Sequence, residues 1–165
     1  MTISKRVAAD APRICELINE AAQAYVGVIP ADCLHEPYMS LDELRSEIDL
    51  GVSFVAYEEH GEPVGVMGSQ EVQDVTLIRH AYVRPGHQGR GIGHALLEHL
   101  LSGTSRQVLV GTWTSATWAI RFYERHGFAV TSPDECRRLL ERYWSVPERQ
   151  IELSSVLVGP DGQHA

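Results

Sequence analysis

Long apolar runs are the first thing this sequence lacks. None approaches the roughly 20 residues a helix needs to cross a bilayer, and Met1–Asp10 holds no apolar stretch of the secretory-signal kind. A cytoplasmic protein with no membrane partner is therefore expected. Cysteine is also scarce. Cys15, Cys33 and Cys136 stand far apart, form no CxxC pair and join no Cys/His cluster, so inert thiols are expected rather than a disulfide framework or a zinc site. The 8 histidines show neither HxH nor HxxxH spacing, and no metal is expected. Positive charge is in deficit, with 14 Lys and Arg against 22 Asp and Glu and a net charge of -8. Such a chain repels a polyanion, which argues against nucleic acid as the main partner. Two nucleotide signatures are missing as well. No GxxxxGK[ST] occurs, and a dinucleotide GxGxxG built on Gly89 and Gly91 fails at His94.

What is present is a globular composition, 44% apolar and 22% charged with 14 Gly and 8 Pro. At 165 residues one domain spanning 1–165 is expected, without repeat or linker, and 159–165 should fray. Thr2–Val7 reads as a strand. Asp10 and Pro12 open a helix whose Ile14, Leu17, Ile18 and Ala21 share one face. Ser40 with Glu43 forms a capping box for a second helix, through Leu44 and Ile48 to Gly51. Val52–Glu58, Val64–Gln70 and Val75–Val83 read as an antiparallel meander turning at His60-Gly61-Glu62-Pro63 and at Gln73-Asp74. Leu96, Leu97, Leu100 and Leu101 mark a helix ending at Gly103, Gln107–Thr112 a strand, and Thr117–His126 a helix stopped by Gly127. After an extended Phe128–Thr131, Ser132 and Glu135 cap a further helix that reaches Trp144, and Arg149–Val158 reads as the last strand.

The segment that carries chemistry is Gln88-Gly89-Arg90-Gly91-Ile92-Gly93, a glycine-rich turn between a strand and an amphipathic helix. There the backbone N–H groups of a helix start face outward at the positive end of its dipole, and glycine lets an anion approach the main chain. A phosphate ligand fits, with Arg84 and Arg90 adding charge. The turn reads [QR]xxGx[GA]. About thirty residues on, Ala119-Ile120-Arg121-Phe122-Tyr123-Glu124-Arg125-His126-Gly127-Phe128 reads AxxFYExxGF. With these two motifs in this order the chain resembles the GNAT superfamily of N-acetyltransferases, and the resemblance covers most of its length. It departs from that pattern at Ala116, where an asparagine is common, and in the helix near 133–144.

The resemblance implies an α/β fold of the α+β mixed-sheet kind. Its central sheet would be mostly antiparallel, of about seven strands flanked by helices, to which this sequence adds an extra helix between the last two strands. It also implies an enzyme that moves the acetyl group of acetyl-CoA, its co-substrate, to a primary amine. Gln88, Gly89, Arg90, Gly91, Ile92 and Gly93 would grip the pyrophosphate, while Ala81, Tyr82 and Val83 would run along the pantetheine arm. Tyr123 matches the usual general acid, since a phenol of pKa near 10 can protonate a departing thiolate; the plainer alternative is a core tyrosine beside Phe122. His80 suits a base by its ordinary pKa, yet strand alternation turns it away from the face of Val83 unless a bulge shifts the register. Glu71 and Asp74 are the other candidates. Substrate residues are sought in the segments that depart from the common pattern: Tyr25, His35, Tyr38 and Trp144, with Arg79 as a partner for a substrate carboxylate. A small-molecule amine leads, with peptide N-acetylation and an inactive acyl-CoA-binding module as alternatives. The resemblance also allows a homodimer.

Overall fold

The computed structural model describes residues 2–6 and 10–160. Seven strands form one sheet: β1 (Thr2–Arg6), β2 (Ser53–Glu59), β3 (Glu62–Val72), β4 (Val75–Val83), β5 (Gln107–Trp113), β6 (Ala129–Val130) and β7 (Ser154–Val158). Their order is β1-β2-β3-β4-β5-β7-β6, and among the described residues β4 with β5 is the one parallel neighbour pair. Among the described residues the α-helices are α1 (Ala11–Ala21), α2 (Leu41–Asp49), α3 (Ile92–Ser102), α4 (Thr117–Arg125), α5 (Pro133–Tyr143) and α6 (Glu148–Glu152). None is long and apolar enough to cross a membrane.

Local chemistry explains most of these boundaries. Pro12 lies in the first turn of α1, although the Asp10 side chain makes no cap bond and faces Arg6 instead. Ser40 accepts a hydrogen bond from the Glu43 N–H at 3.1 Å, and Ser132 accepts one from the Glu135 N–H at 3.2 Å, so both expected capping residues cap. His60 and Gly61 both have positive φ, the geometry of a two-residue turn that matches strand twist, so β2 and β3 run closer to their turn than the sequence suggested and β3 takes in Pro63. The expected final strand from Arg149 is shorter. Pro147 opens α6 as its N-cap, and an ion pair of Glu148 with Arg137 at 2.7 Å holds that turn against α5, so the strand begins only at Ser154. Val7, expected to end the first strand, and 161–165 of the expected frayed tail lie outside the described residues.

The core lies on both faces of the sheet. Leu96, Leu97 and Leu100 of α3 bury against Val64, Met67 and Ile78, with Tyr123 and Phe128 beside them. On the opposite face Ile14, Leu17 and Ile18 of α1 and Leu44 of α2 meet Phe54, Ala56 and Val66. Each such Leu, Ile, Val, Met or Phe side chain contributes about 1.5–3 kcal/mol by leaving water. Cys15 and Cys136 are buried, which pushes both thiols up, while Cys33 is half-buried; all three are free. The feature that shapes the site is the partial pairing of β4 with β5, which holds only from Val75–Gln107 to Ile78–Val110. Beyond Ile78 the two strands separate, and Arg79–Val83 leave a gap in the middle of the sheet.

Candidate active site

Two cavities open at that gap. The larger, about 500 Å³, is walled by Ala81, Tyr82 and Val83 of β4, by Gln88, Gly89, Gly91, Ile92 and Gly93 of the following turn, and by Trp118 and Phe122 of α4. Gly89 and Gly91 hold φ of 77° and 78°, a left-handed backbone that costs other residues about 1–2 kcal/mol. Gly91 is the N-cap of α3 and no side chain caps that end. The first N–H groups of α3 therefore remain for a ligand, at the positive end of the helix.

The charges around this cavity differ from those expected. Arg84 is drawn to Glu20 and to the Pro63 carbonyl, and the Arg90 guanidinium lies 3.4 Å from Glu59, so neither side chain lines the cavity. Arg125 and three imidazoles, His87, His94 and His126, line it instead. The Nδ1 of His87 is buried without a partner. His126 Nδ1 lies 2.8 Å from the Phe122 carbonyl, which only accepts, so this nitrogen carries the hydrogen; in the neutral ring Nε2 then accepts from His94 Nδ1, 2.8 Å away. Left-handed glycines, uncapped N–H groups, an arginine and an unpartnered imidazole nitrogen together suit a phosphorylated ligand.

The second cavity, about 160 Å³, exists because β4 carries a bulge. Gly68 pairs with Arg79 and Val66 with Tyr82, so His80 and Ala81 together oppose Met67. His80 takes the extra place with φ 53°, a strained left-handed conformation for a residue with a Cβ. Gly68 permits it, because a Cβ there would lie 2.7 Å from the Arg79 carbonyl oxygen. Regular alternation would set Arg79 on the face of Ala81. The bulge sends Arg79 and His80 together to α2, where Arg79 Nη2 is 2.5 Å and His80 Nε2 2.8 Å from the same Glu47 oxygen. Gln70 also accepts from Arg79 at 2.9 Å, and the His80 ring stacks on Phe54. Burial alone would raise the Glu47 carboxyl, but the His80 hydrogen bond and the charges of His80 and Arg79 outweigh it and hold it below the usual carboxylate range.

Tyr25, Tyr38, Trp144, Arg79 and His80 meet in this second cavity, and Tyr25 and Tyr82 line both cavities. The Tyr25 and Tyr82 hydroxyls are 3.4 Å apart, and Trp113 donates to the Tyr38 hydroxyl at 3.1 Å. Burial pushes Tyr25 up to about 12 and raises Tyr38 and Tyr82, so all three phenols stay neutral at physiological pH. His35 is exposed and borders neither cavity, because the turn after Cys33 carries it outward. Arg79, expected to await a carboxylate, already has one in Glu47. Glu71 faces Arg106 and Asp74 accepts from Tyr143 at 2.7 Å, away from both cavities. Tyr123 lines neither cavity: it packs between Phe122 and Phe128, and burial together with the nearby Tyr25 lifts its hydroxyl well above the ordinary phenol range. Ala116 is fully buried beside Ile29 and Trp113.

Residues 49–130 match the family model described as an acetyltransferase (GNAT) domain. The chain is similar along nearly its whole length to the ribosomal-protein-S18-alanine N-acetyltransferase of Escherichia coli, with TM-score 0.70, 19% identity, and coverage of 98% of this chain and 94% of that one. It is likewise similar to the PaiA N-acetyltransferase of Thermoplasma acidophilum in complex with coenzyme A, with TM-score 0.68, 16% identity, and coverage of 96% and 99%. A third similar structure is an acetyltransferase of Salmonella typhimurium with its cofactor acetyl-CoA, with TM-score 0.65, 22% identity, and coverage of 98% and 93%. The chain belongs to the GNAT superfamily of N-acetyltransferases. Its seven-stranded, mostly antiparallel sheet flanked by helices is the fold these structures share.

Proposed function

We propose that this chain transfers the acetyl group of acetyl-CoA to a primary amine of a small molecule by direct attack on the thioester, as a single cytoplasmic domain. The observation that carries the reading is the pair of cavities meeting at Tyr25 and Tyr82, one suited to a phosphorylated ligand and one small, aromatic and bordered by His80. Acetyl-CoA brings an activated carbonyl on a good leaving group. The turn Gln88–Gly93 would bind its phosphates, with Arg125 in the place expected of Arg90. Ala81, Tyr82 and Val83 would lie along the arm that leads to the thioester. A cavity of about 150 Å³ is enough for a benzene-sized molecule, so the second cavity at about 160 Å³ fits the reacting end of a small amine.

His80 is assigned as the base that takes the amine proton, and Tyr123 as the acid that protonates the thiolate. Their environments bear on these roles unequally. His80 borders the acceptor cavity, while a phenol raised by burial gives up its proton with more difficulty than the ordinary tyrosine expected. Tyr25, itself raised to about 12 by burial, lines both cavities and is the alternative acid. Beside the small cavity runs a wider groove of about 730 Å³, edged by Asp42, Glu43 and Glu47 and sharing Arg79 and Trp144 with it. Its carboxylates attract a cationic acceptor, and its width favours peptide N-termini as the second reading.

Thiol release from acetyl-CoA, measured against a panel of small primary amines and of peptides with free N-termini, tests both readings. Turnover of small amines supports the first and turnover confined to peptides the second. No release with any acceptor contradicts both.

A further inference from the structure

The carboxylate beneath His80 has a consequence beyond packing. Glu47 is held ionised by the Arg79 guanidinium, charged whatever the state of His80, and an ionised carboxylate can only accept. The hydrogen between its oxygen and His80 Nε2, 2.8 Å apart, therefore belongs to His80. Neutral His80 is thus the Nε2–H tautomer, with its lone pair on Nδ1. Among the described residues Nδ1 has no hydrogen-bond partner, and the side chain that bears it borders the small cavity.

We propose that Glu47 is a positioning residue for acetyl transfer, fixing the His80 ring and tautomer so that Nδ1 is the atom that accepts the proton of the attacking amine. This rests on the reading of His80 as the base. As the lone pair of the acceptor nitrogen closes the new C–N bond, Nδ1 takes the proton from that nitrogen. The C–S bond breaks, and the sulfur keeps its electron pair and takes a proton from the phenol. The imidazolium so formed keeps its Nε2–H on Glu47, whose negative charge stabilises it. Arg79 limits that stabilisation. Its guanidinium shares the same Glu47 oxygen and is held from the other side by Gln70. The charged and titratable groups around the ring are Glu47 on α2, Arg79 and Tyr82 on β4, and Tyr25 and Tyr38 from the segment before α2, with the uncharged Phe54 of β2 against its face.

The strain at this residue fits the role. A left-handed histidine in the middle of a strand is maintained against its own backbone preference only when its surroundings hold it there. Here the bulge presents the ring to Glu47, and the Glu47 bond holds it.

Two measurements test the proposal. In long-range nitrogen–proton NMR spectra of the labelled protein, with His80 assigned by comparison with His80→Asn, neutral His80 is expected as the Nε2–H tautomer. In Glu47→Gln, whose side-chain amide can donate as well as accept, that single tautomer is expected to give way to a mixture of the two. An Nδ1–H tautomer in the wild type, or an unchanged tautomer in the variant, overturns the role of Glu47 and leaves the acetyltransferase reading intact. With the amine that gives the fastest thiol release, Glu47→Gln should lower kcat and leave the KM for acetyl-CoA unchanged. Unchanged turnover in His80→Asn would instead overturn the base itself, and the role of Glu47 with it.

Discussion

The two cavities that meet at Tyr25 and Tyr82 are built in different ways. The larger comes mostly from one continuous stretch, the end of β4, the glycine turn and the start of α3, closed by α4. The smaller draws Tyr25 and Tyr38 from the irregular segment between α1 and α2, Arg79 and His80 from β4, and Trp144 from the end of α5. In the first, backbone geometry is the binding element and two left-handed glycines set it. In the second, side chains do the work, and a bulge aims them. A site of the first kind tolerates changes of side chain and fails when its turn changes. A site of the second kind depends on each residue that reaches it.

That contrast can be broken by substitutions that spare one cavity. The largest effect is expected at His80. His80→Asn should lower kcat/KM for the amine by about 10² to 10⁴, the usual worth of a general base, while calorimetry finds acetyl-CoA binding unchanged. Between the two phenols, the one whose replacement by Phe costs about 10² or more in kcat is the acid; equal small losses in Tyr25→Phe and Tyr123→Phe would mean the thiolate leaves unaided. Gly68→Ala should act on the acceptor side alone. Its Cβ would press on the Arg79 carbonyl oxygen, which is backbone and cannot swing away, so about 1–3 kcal/mol of stability should be lost in denaturant melts and kcat should fall. Unaltered kcat would show that the bulge does not set His80.

The smallest effect concerns pH. The Glu47 carboxyl is depressed in the folded state, so its contribution to stability is present above its unfolded pKa of about 4.3 and lost as pH falls through the folded value. The wild type should therefore lose melting temperature on acidification below about pH 4 more steeply than Glu47→Gln. Parallel curves for the two proteins would deny that His80 and Arg79 hold this carboxylate ionised.

How far the sequence could be read follows from the same contrast. The glycine turn, the meander and both capping boxes are local patterns, and each stands where its residues put it. The β4 walls were legible too, since they adjoin the turn. His80 was within reach only as a conditional, because alternation argued against it and the bulge depends on Gly68, a residue on the neighbouring strand. Glu47 had a weak signal, a charge between Leu44 and Ile48 on a helix face that is otherwise buried or half-buried. Arg125 and His126 occupy the unspecified positions of the second motif, so nothing marked them as cavity residues. Arg84 and Arg90 misled because a nearby carboxylate, Glu20 or Glu59, is invisible without the fold. His35 misled because proximity in sequence to Tyr38 says little in a segment with no regular periodicity.

The measurement that bears most directly on the two-cavity account is the melting temperature of the wild type, Gly91→Val and Gly68→Ala with acetyl-CoA, CoA and ATP. Ligand at 100 times its Kd adds about 2.7 kcal/mol, several degrees for a domain of this size. The account predicts that acetyl-CoA and CoA, but not ATP, raise the melting temperature of the wild type and of Gly68→Ala, and that Gly91→Val gains nothing because its left-handed turn is lost. No rise in the wild type, or an equal rise in Gly91→Val, would contradict it.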